Sequence, residues 1–376
     1  MSPVALTAAD RLHLRRALEL AEGGRGRVSP NPMVGAVLVQ EGEVIGEGFH
    51  AEVGGPHAEA VAIADCRARG LDPEGATLYV SLEPCAHHGR QPPCTGAILE
   101  ARLARVIIGS DDPSEKASGR GPGVLRDEGV AVEFVDGEEA VEARLLNQAF
   151  RKHARTGRPL VTLKSALSLD GRVATAAGDS KWISSEASRQ LAHRWRTESD
   201  AVCVGIGTVL ADDPLLTARE PGTLRQPTRI VFDANARLPL DSKLVGSIAD
   251  APLLVIAWPH APEERVGALK AAGVGVVVCD GDPPGMVMAG LAELGRRDIA
   301  SVLLEGGPTL AGSFLDAGEV DELRLFVAPM VIGGAGARAL AEGAGATAIA
   351  EAIPALAMDW ERSNGDLLIR ARLREW

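Results

Sequence analysis

The sequence predicts a two-domain α/β protein, and three observations carry that prediction. The chain has 376 residues, which at roughly 150 residues per domain makes two to three domains. Short apolar runs alternate with amphipathic stretches along its length, the pattern of strands traded with helices around a sheet. A glycine–proline break, Thr156-Gly157-Arg158-Pro159, follows a long helical stretch and reads as a boundary. The domains are therefore placed at residues 1–155 and 156–376.

The elements follow in order. Residues 7–22 form an amphipathic helix with Thr7 and Asp10 as capping residues. Strands at 34–40 and 44–50 flank the Glu41-Gly42 turn. A helix at 56–69, a strand at 77–82, a helix at 95–102, strands at 105–109 and 130–135 and a helix over 138–154 complete the first domain. Its sheet is expected to be largely parallel. In the second domain, strands are expected at 160–166, 201–206, 229–232, 253–257, 274–278, 301–304, 322–327 and 367–373. Helices are expected there at 185–198, 262–272, 284–294 and 308–315. The halves share no motif, which argues against duplication.

Composition narrows the function classes. A net charge of −12 with 3% aromatic residues speaks against broad nucleic-acid binding, which wants basic patches and stacking rings. No stretch approaches the roughly 18 apolar residues of a spanning helix. The first 22 residues carry Arg11, Arg15 and Arg16 inside a helical pattern, unlike a signal peptide. The five cysteines, Cys66, Cys85, Cys94, Cys203 and Cys279, are too few and too scattered for a disulfide framework. Together these predict a cytoplasmic protein with no membrane or nucleic-acid partner.

The strongest chemical signal is His57-Ala58-Glu59, followed by Glu83-Pro84-Cys85 and, after eight intervening residues, Cys94. One imidazole and two thiolates are the three protein ligands of a catalytic zinc, which keeps a position for water. Zinc brings that water's pKa toward neutrality, and Glu59 is placed to shuttle its proton. A His-x-Glu with a later Pro-Cys and a second Cys is the signature of zinc-dependent nucleobase deaminases. The usual gap between the cysteines is two residues, so eight is a departure. The alternative is a structural zinc completed by His87 or His88, which leaves Glu59 idle. Cys66, Cys203 and Cys279 read as small buried residues.

The gap runs Cys85-Ala86-His87-His88-Gly89-Arg90-Gln91-Pro92-Pro93-Cys94. With Asn31-Pro32-Met33-Val34-Gly35-Ala36, Asp112-Pro113 and Gly119-Arg120-Gly121, it resembles the deaminase half of the RibD family, the bifunctional deaminase/reductases of riboflavin biosynthesis. The second half resembles that family's reductase. Its motifs are Leu167-Ser168-Leu169-Asp170-Gly171-Arg172, Gly178-Asp179-Ser180-Lys181-Trp182-Ile183, the run from Gly207 to Thr217, and Glu305-Gly306-Gly307-Pro308-Thr309-Leu310. The resemblance spans nearly the whole chain in the family's domain order.

The resemblance implies an N-terminal cytidine-deaminase-like three-layer α/β/α domain and a C-terminal dihydrofolate-reductase-like α/β domain. It implies zinc-dependent deamination of 2,5-diamino-6-(5-phosphoribosylamino)pyrimidin-4-one. NADPH-dependent reduction of the ribose to ribityl then gives 5-amino-6-(5-phosphoribitylamino)uracil. One zinc per chain falls to His57, Cys85 and Cys94, acid/base work to Glu59, and a substrate contact to Asn31, whose other reading is a turn residue before proline. His50 and Arg90 are further pocket candidates. NADPH falls to Ala166, Trp182, Thr208, Asp212 and the run Gly307, Pro308, Thr309, Leu310, Ala311, Gly312 and Ser313. Substrate falls to Ser180, Arg196, Leu216, Arg219 and Glu305. Physical reasons stand beside several of these. An apolar strand, two glycines and a proline set up a helix start whose amides attract phosphate, and a guanidinium binds phosphate through two parallel bonds. Asp233-Ala234 departs from the family's frequent hydroxyl residue, and that contact is not carried over. A homo-oligomer, dimer or tetramer, is expected. The rivals are a nucleic-acid or free-nucleoside deaminase with an unrelated second domain, and a non-catalytic zinc-stabilised nucleotide sensor.

Overall fold

The structure is a computed structural model and describes residues 6–89, 91–115, 117–219 and 225–376. Arg90 lies outside the described residues. Tertiary contacts divide the chain into Met1–Thr156 with Trp376, and Gly157–Glu375.

In the first unit, α1 (Ala8–Ala21) opens with a capping box: Thr7 accepts from the Asp10 amide while Asp10 accepts from the Thr7 amide. The elements that follow are β1 (Gly35–Gln40), β2 (Glu43–Phe49), α2 (Ala58–Ala68), β3 (Thr77–Val80), α3 (Cys94–Glu100), β4 (Arg105–Ile108), α4 (Arg120–Asp127), β5 (Ala131–Phe134), α5 (Glu138–Leu146) and α6 (Gln148–Thr156). The strand order is β2-β1-β3-β4-β5. The sheet is mixed, not largely parallel: β1 pairs antiparallel with β2 and β3, and only β3–β4–β5 run parallel. The Glu41-Gly42 hairpin accounts for the β1–β2 pair, since so short a turn joins antiparallel strands only. One sheet face carries Leu14 of α1 and Ala140 of α5 over Val37, Tyr79 and Ile107. The other carries Ala62, Ile98 and Leu125, from α2, α3 and α4, over Leu38, Leu78 and Val106. These are the three expected layers.

Two details of this unit position chemistry. The backbone of α2 lies directly on β2, because β2 presents glycine there. A Cβ on Gly48 would stand 2.5 Å from the Ala62 nitrogen and 2.7 Å from the Ala58 oxygen. The expected single helix over 138–154 is instead two, broken at Asn147. The Asn147 amide turns away to pair with the Met33 backbone, accepting from its N–H at 2.8 Å and donating to its carbonyl at 2.9 Å.

The second unit comprises β6 (Leu160–Leu167), β7 (Arg172–Ala174), α7 (Glu186–Glu198), β8 (Ala201–Gly205), α8 (Ile206–Asp212), β9 (Thr228–Phe232), α9 (Lys243–Gly246), β10 (Leu253–Ala257), α10 (Glu263–Ala271), β11 (Gly275–Val278), α11 (Pro283–Arg296), β12 (Ser301–Leu304), α12 (Pro308–Asp316), β13 (Glu322–Val327), β14 (Arg338–Ala339), β15 (Ala357–Ser363) and β16 (Asp366–Arg372). Nine strands form one sheet in the order β11-β10-β9-β8-β12-β6-β13-β16-β15. The first seven run parallel, and β16 and β15 close the edge antiparallel. Apolar cores cover both faces, one around Trp195, Leu244 and Leu269, the other around Leu291, Ala311 and Phe314. Strands β8 and β12 are parallel neighbours in the middle of the sheet, so α8 and α12 start side by side beyond their carboxyl ends. A Cβ on Gly307 would lie 3.6 Å from the Thr208 hydroxyl.

Candidate active sites

In the first unit, three ligand atoms converge from two helix starts and the end of a strand. His57 is the extended residue before α2, Cys85 follows β3, and Cys94 is the first residue of α3. His57 Nδ1 is 3.1 Å from Cys94 Sγ and 3.6 Å from Cys85 Sγ, and the two sulfurs are 3.5 Å apart. The three ligand atoms lie within 4.8 Å of one another, and His87 and His88 stand outside that group. Two thiols and one imidazole nitrogen at this spacing fit a three-ligand zinc, not a four-ligand structural one. The Cys94 amide donates to Cys85 Sγ at 3.4 Å, and the Thr95 amide to the Cys85 carbonyl at 3.2 Å. The hydrogen bond from Cys94 pulls the Cys85 thiol down toward the thiolate a metal needs, and the same bond with burial pushes Cys94 up.

Glu59, in the first turn of α2, is buried. Burial raises its carboxyl above the ordinary range, and it hydrogen-bonds Cys94. A carboxyl held ready to take a proton, touching one ligand and two residues from another, is what a proton shuttle requires. His50 is buried, its ring edge-on to His57 at 5.4 Å. Its Nδ1 is 2.9 Å from the Pro56 carbonyl and its Nε2 3.1 Å from Asn31 Nδ2. A carbonyl only accepts, so Nδ1 carries the proton and Nε2 accepts from Asn31. Burial lowers the His50 pKa and keeps this neutral form. The structure therefore brings Asn31 to the site through His50.

Sequence reasoning missed the supports. Glu83 is buried, accepts from the Asp112 amide at 3.4 Å, and burial lifts it to about 7. Gly121 lies so close to Pro84 that a Cβ would sit 1.8 Å from the Pro84 oxygen. Both sit in motifs the sequence reading had singled out, and both brace the strand end that carries Cys85.

In the second unit, Glu305 follows β12 and its side chain is nearly buried. Both of its oxygens take bonds from Arg196, at 2.6 and 3.0 Å, and Lys164 Nζ is 3.5 Å away. Burial alone would raise Glu305, but Arg196 and Lys164 hold it at about 2. Arg196 also donates to the Thr217 carbonyl at 3.2 Å. Three of its five N–H donors are therefore committed to protein, and the cluster keeps one net positive charge. Arg219 is exposed beside it. Lys164 was missed, although a lysine inside an apolar strand was the available signal.

Gly307 precedes α12, whose first turn has no side-chain cap, and Pro308 occupies the start. Thr309 hydrogen-bonds Glu342 at 2.9 Å and Ser313 bonds the Thr309 carbonyl at 3.0 Å. Ala311 and Gly312 face inward, since a Cβ on Gly312 would overlap the Glu342 oxygen. Of the run 307–313, it is the uncapped first turn that presents amides suited to a dinucleotide's phosphates. Trp182 is exposed, with the Arg189 guanidinium stacked 4.5 Å above its ring. Asp212 pairs with Lys181 at 2.8 Å. Ala166 lies on β6, Ser180 is half-buried, and Leu216 is buried at φ +56°.

Fold and sites together define a zinc-type nucleobase deaminase joined to a reductase. Residues 7–110 match the cytidine and deoxycytidylate deaminase zinc-binding region, and residues 159–363 match the RibD C-terminal domain. The chain is 41% identical over 333 residues to the riboflavin biosynthesis protein RibD of Actinobacillus pleuropneumoniae, covering 88% of this chain and 87% of that one. It is 39% identical over 341 residues to RibD of Escherichia coli strain K12, covering 86% and 89%. Among solved structures, Acinetobacter baumannii RibD superposes with TM-score 0.84 at 37% identity, covering 97% and 98%. A diaminohydroxyphosphoribosylaminopyrimidine deaminase/5-amino-6-(5-phosphoribosylamino)uracil reductase from Thermotoga maritima superposes with TM-score 0.83 at 36% identity, also over 97% and 98%. The chain belongs to the RibD family: it is a bifunctional deaminase/reductase of riboflavin biosynthesis, with a cytidine-deaminase-like first domain and a dihydrofolate-reductase-like second domain.

Proposed function

We propose that residues 1–155 deaminate 2,5-diamino-6-(5-phosphoribosylamino)pyrimidin-4-one and that residues 156–376 reduce the product with NADPH to 5-amino-6-(5-phosphoribitylamino)uracil. The observation that carries this is the convergence of His57, Cys85 and Cys94 beside a buried Glu59. His57 Nδ1 and the two thiolates would hold the zinc. Zinc, when bound, supplies a water acidic enough to act as nucleophile at neutral pH. Glu59 takes that water's proton as the oxygen adds to the carbon bearing the exocyclic amine, and returns it to the ring nitrogen. A second relay through Glu59 protonates the amine, which leaves as ammonia. Asn31, held by neutral His50, orients the pyrimidine.

In the second unit, the uncapped α12 start with Gly307, Thr208 and Trp182 would hold NADPH, which when bound would supply a hydride to the sugar C1 as the bond from C1 to the ring oxygen breaks, that oxygen taking a proton from water to leave a ribityl chain. Arg219 meets the 5-phosphate, while the Lys164–Glu305–Arg196 cluster lines the site with fixed charge. The test follows ammonia release and NADPH oxidation together on the phosphoribosylaminopyrimidine. Glu59→Gln should abolish the first and leave reduction of supplied deaminated intermediate intact. Loss of both activities in a folded variant would refute separate sites.

The protein works in the cytoplasm as a homo-oligomer built on the β15 edge. That strand ends the nine-strand sheet with its outer edge unpaired among the described residues, and Leu356, Met358 and Trp360 are exposed on or beside it. Such an edge invites pairing with another strand. A Met358→Lys/Trp360→Lys variant should sediment at half the native mass, and an unchanged mass would overturn this reading. No helix among the described residues is long and apolar enough to cross a membrane.

A further inference from the structure

Arg196 commits three of its five N–H donors to Glu305 and Thr217, and Arg219 is the exposed guanidinium beside it. It is an exposed side chain, and an arginine on a surface samples many rotamers at a cost to any ligand that must fix one. One contact restrains it. Arg219 Nη2 stands 2.9 Å from His193 Nε2. His193 sits on α7, one turn before Arg196, and is half-buried. A guanidinium has donors only, so His193 Nε2 must accept and the ring proton must sit on Nδ1. That arrangement exists only in the neutral ring. Burial and the two flanking guanidiniums, Arg196 and Arg219, hold His193 at about 4, with Glu305 and the Thr217 carbonyl acting weakly the other way. The acceptor is therefore present throughout the neutral range.

We propose that His193 is a positioning residue for phosphate recognition: its neutral imidazole fixes the plane of the Arg219 guanidinium, so that the donors this bond does not use are aimed at the substrate's phosphomonoester. This rests on the reading of Arg219 as the phosphate contact and adds to it what makes that contact pre-organised. A fork held in plane offers a tetrahedral dianion two parallel bonds at once, which a freely rotating one does not. His193 acts through its contact with Arg219, so its effect is on binding.

The experiment measures reductase kinetics on the deaminated, phosphorylated intermediate and on its dephosphorylated form, for native protein, Arg219→Ala, His193→Phe, His193→Gln and the double variant His193→Phe/Arg219→Ala. His193→Phe keeps a ring without an acceptor. It should raise KM for the phosphorylated intermediate about tenfold, the worth of one charge-assisted hydrogen bond. It should leave kcat and the KM for NADPH within about twofold and leave the dephosphorylated form unaffected. His193→Gln, which restores an acceptor, should recover most of the loss. In the Arg219→Ala background, His193→Phe should add nothing, because the two act through one contact. Equal losses on both substrates, or an unchanged KM in His193→Phe, would overturn the proposal. Arg219→Ala with an unchanged KM for the phosphorylated form would instead overturn the phosphate reading beneath it. If His193→Phe does not fold, His193→Ala takes its place under the same criteria.

Discussion

Glu305→Gln exchanges a carboxylate for a neutral group of the same shape and so imitates the protonated acid. The native carboxylate is buried, yet Arg196 and Lys164 hold it at about 2, against an ordinary 4.5. At roughly 1.4 kcal/mol per unit, that gap is worth about 3 kcal/mol in favour of the charged form. The side chain is only 10% exposed, so solvent screens little of it. In the variant, Lys164 and Arg196 remain mostly buried without their counter-charge, which adds to the cost. For a unit of this size, about 2–4 °C is lost per kcal/mol, so the melting of the second unit should fall by roughly 6–12 °C. The sign with pH is fixed. A depressed carboxyl contributes its full stability above its unfolded value and loses it as pH falls through the folded value. The gap between native and variant should therefore be complete at pH 7 and close between about 4.5 and 2. Urea unfolding at a series of pH values reads both. A loss under about 1 kcal/mol at neutral pH, or a gap that widens on acidification, would refute the reasoning.

Gly48→Ala should lift α2 from the sheet and displace His57 and Glu59 together. Ammonia release should fall tens to a hundred-fold, on the rule that about 1 Å of misplacement costs roughly that much, while reduction of supplied intermediate holds. Full ammonia release from this variant would show that the close approach is dispensable. Chelation of the metal should abolish ammonia release and spare NADPH oxidation on supplied intermediate, and deamination surviving verified zinc removal would exclude the ligand assignment. Arg189→Ala removes the cation stacked on Trp182, a contact worth about 0.5–1 kcal/mol at an exposed site. The KM for NADPH should rise about two- to fivefold with kcat steady, and an unchanged KM would detach Trp182 from the cofactor.

What the sequence made legible was local. The His57–Glu59 and Glu83–Cys94 segments announce their chemistry in consecutive residues, and apolar runs such as Ser301–Leu304 announce strands. Elements whose composition argues against them were hidden. The helix Arg120–Asp127 contains two glycines and a proline, and one of those glycines exists to pass Pro84. The strand Ala357–Ser363 is exposed on both faces, so no alternation marks it, although the Asn364-Gly365 turn beside it has the positive φ values of a tight hairpin. Partners far apart in the chain were equally hidden. Arg196 meets Glu305 across 109 residues and Asn147 meets Met33 across 114, and a single sequence carries no record of which distant side chains touch.

The five-stranded and nine-stranded sheets share no strand, and each unit closes its own apolar cores. Because one polypeptide carries both, every ribosome that finishes a deaminase also finishes a reductase. Expression can raise or lower the pair but cannot change their ratio, which translation sets at one to one. Any balance between making the deaminated intermediate and consuming it is therefore written into turnover rates and binding constants alone. A substitution that slows only the second unit makes the intermediate accumulate in proportion, with no adjustment of dosage open to the cell.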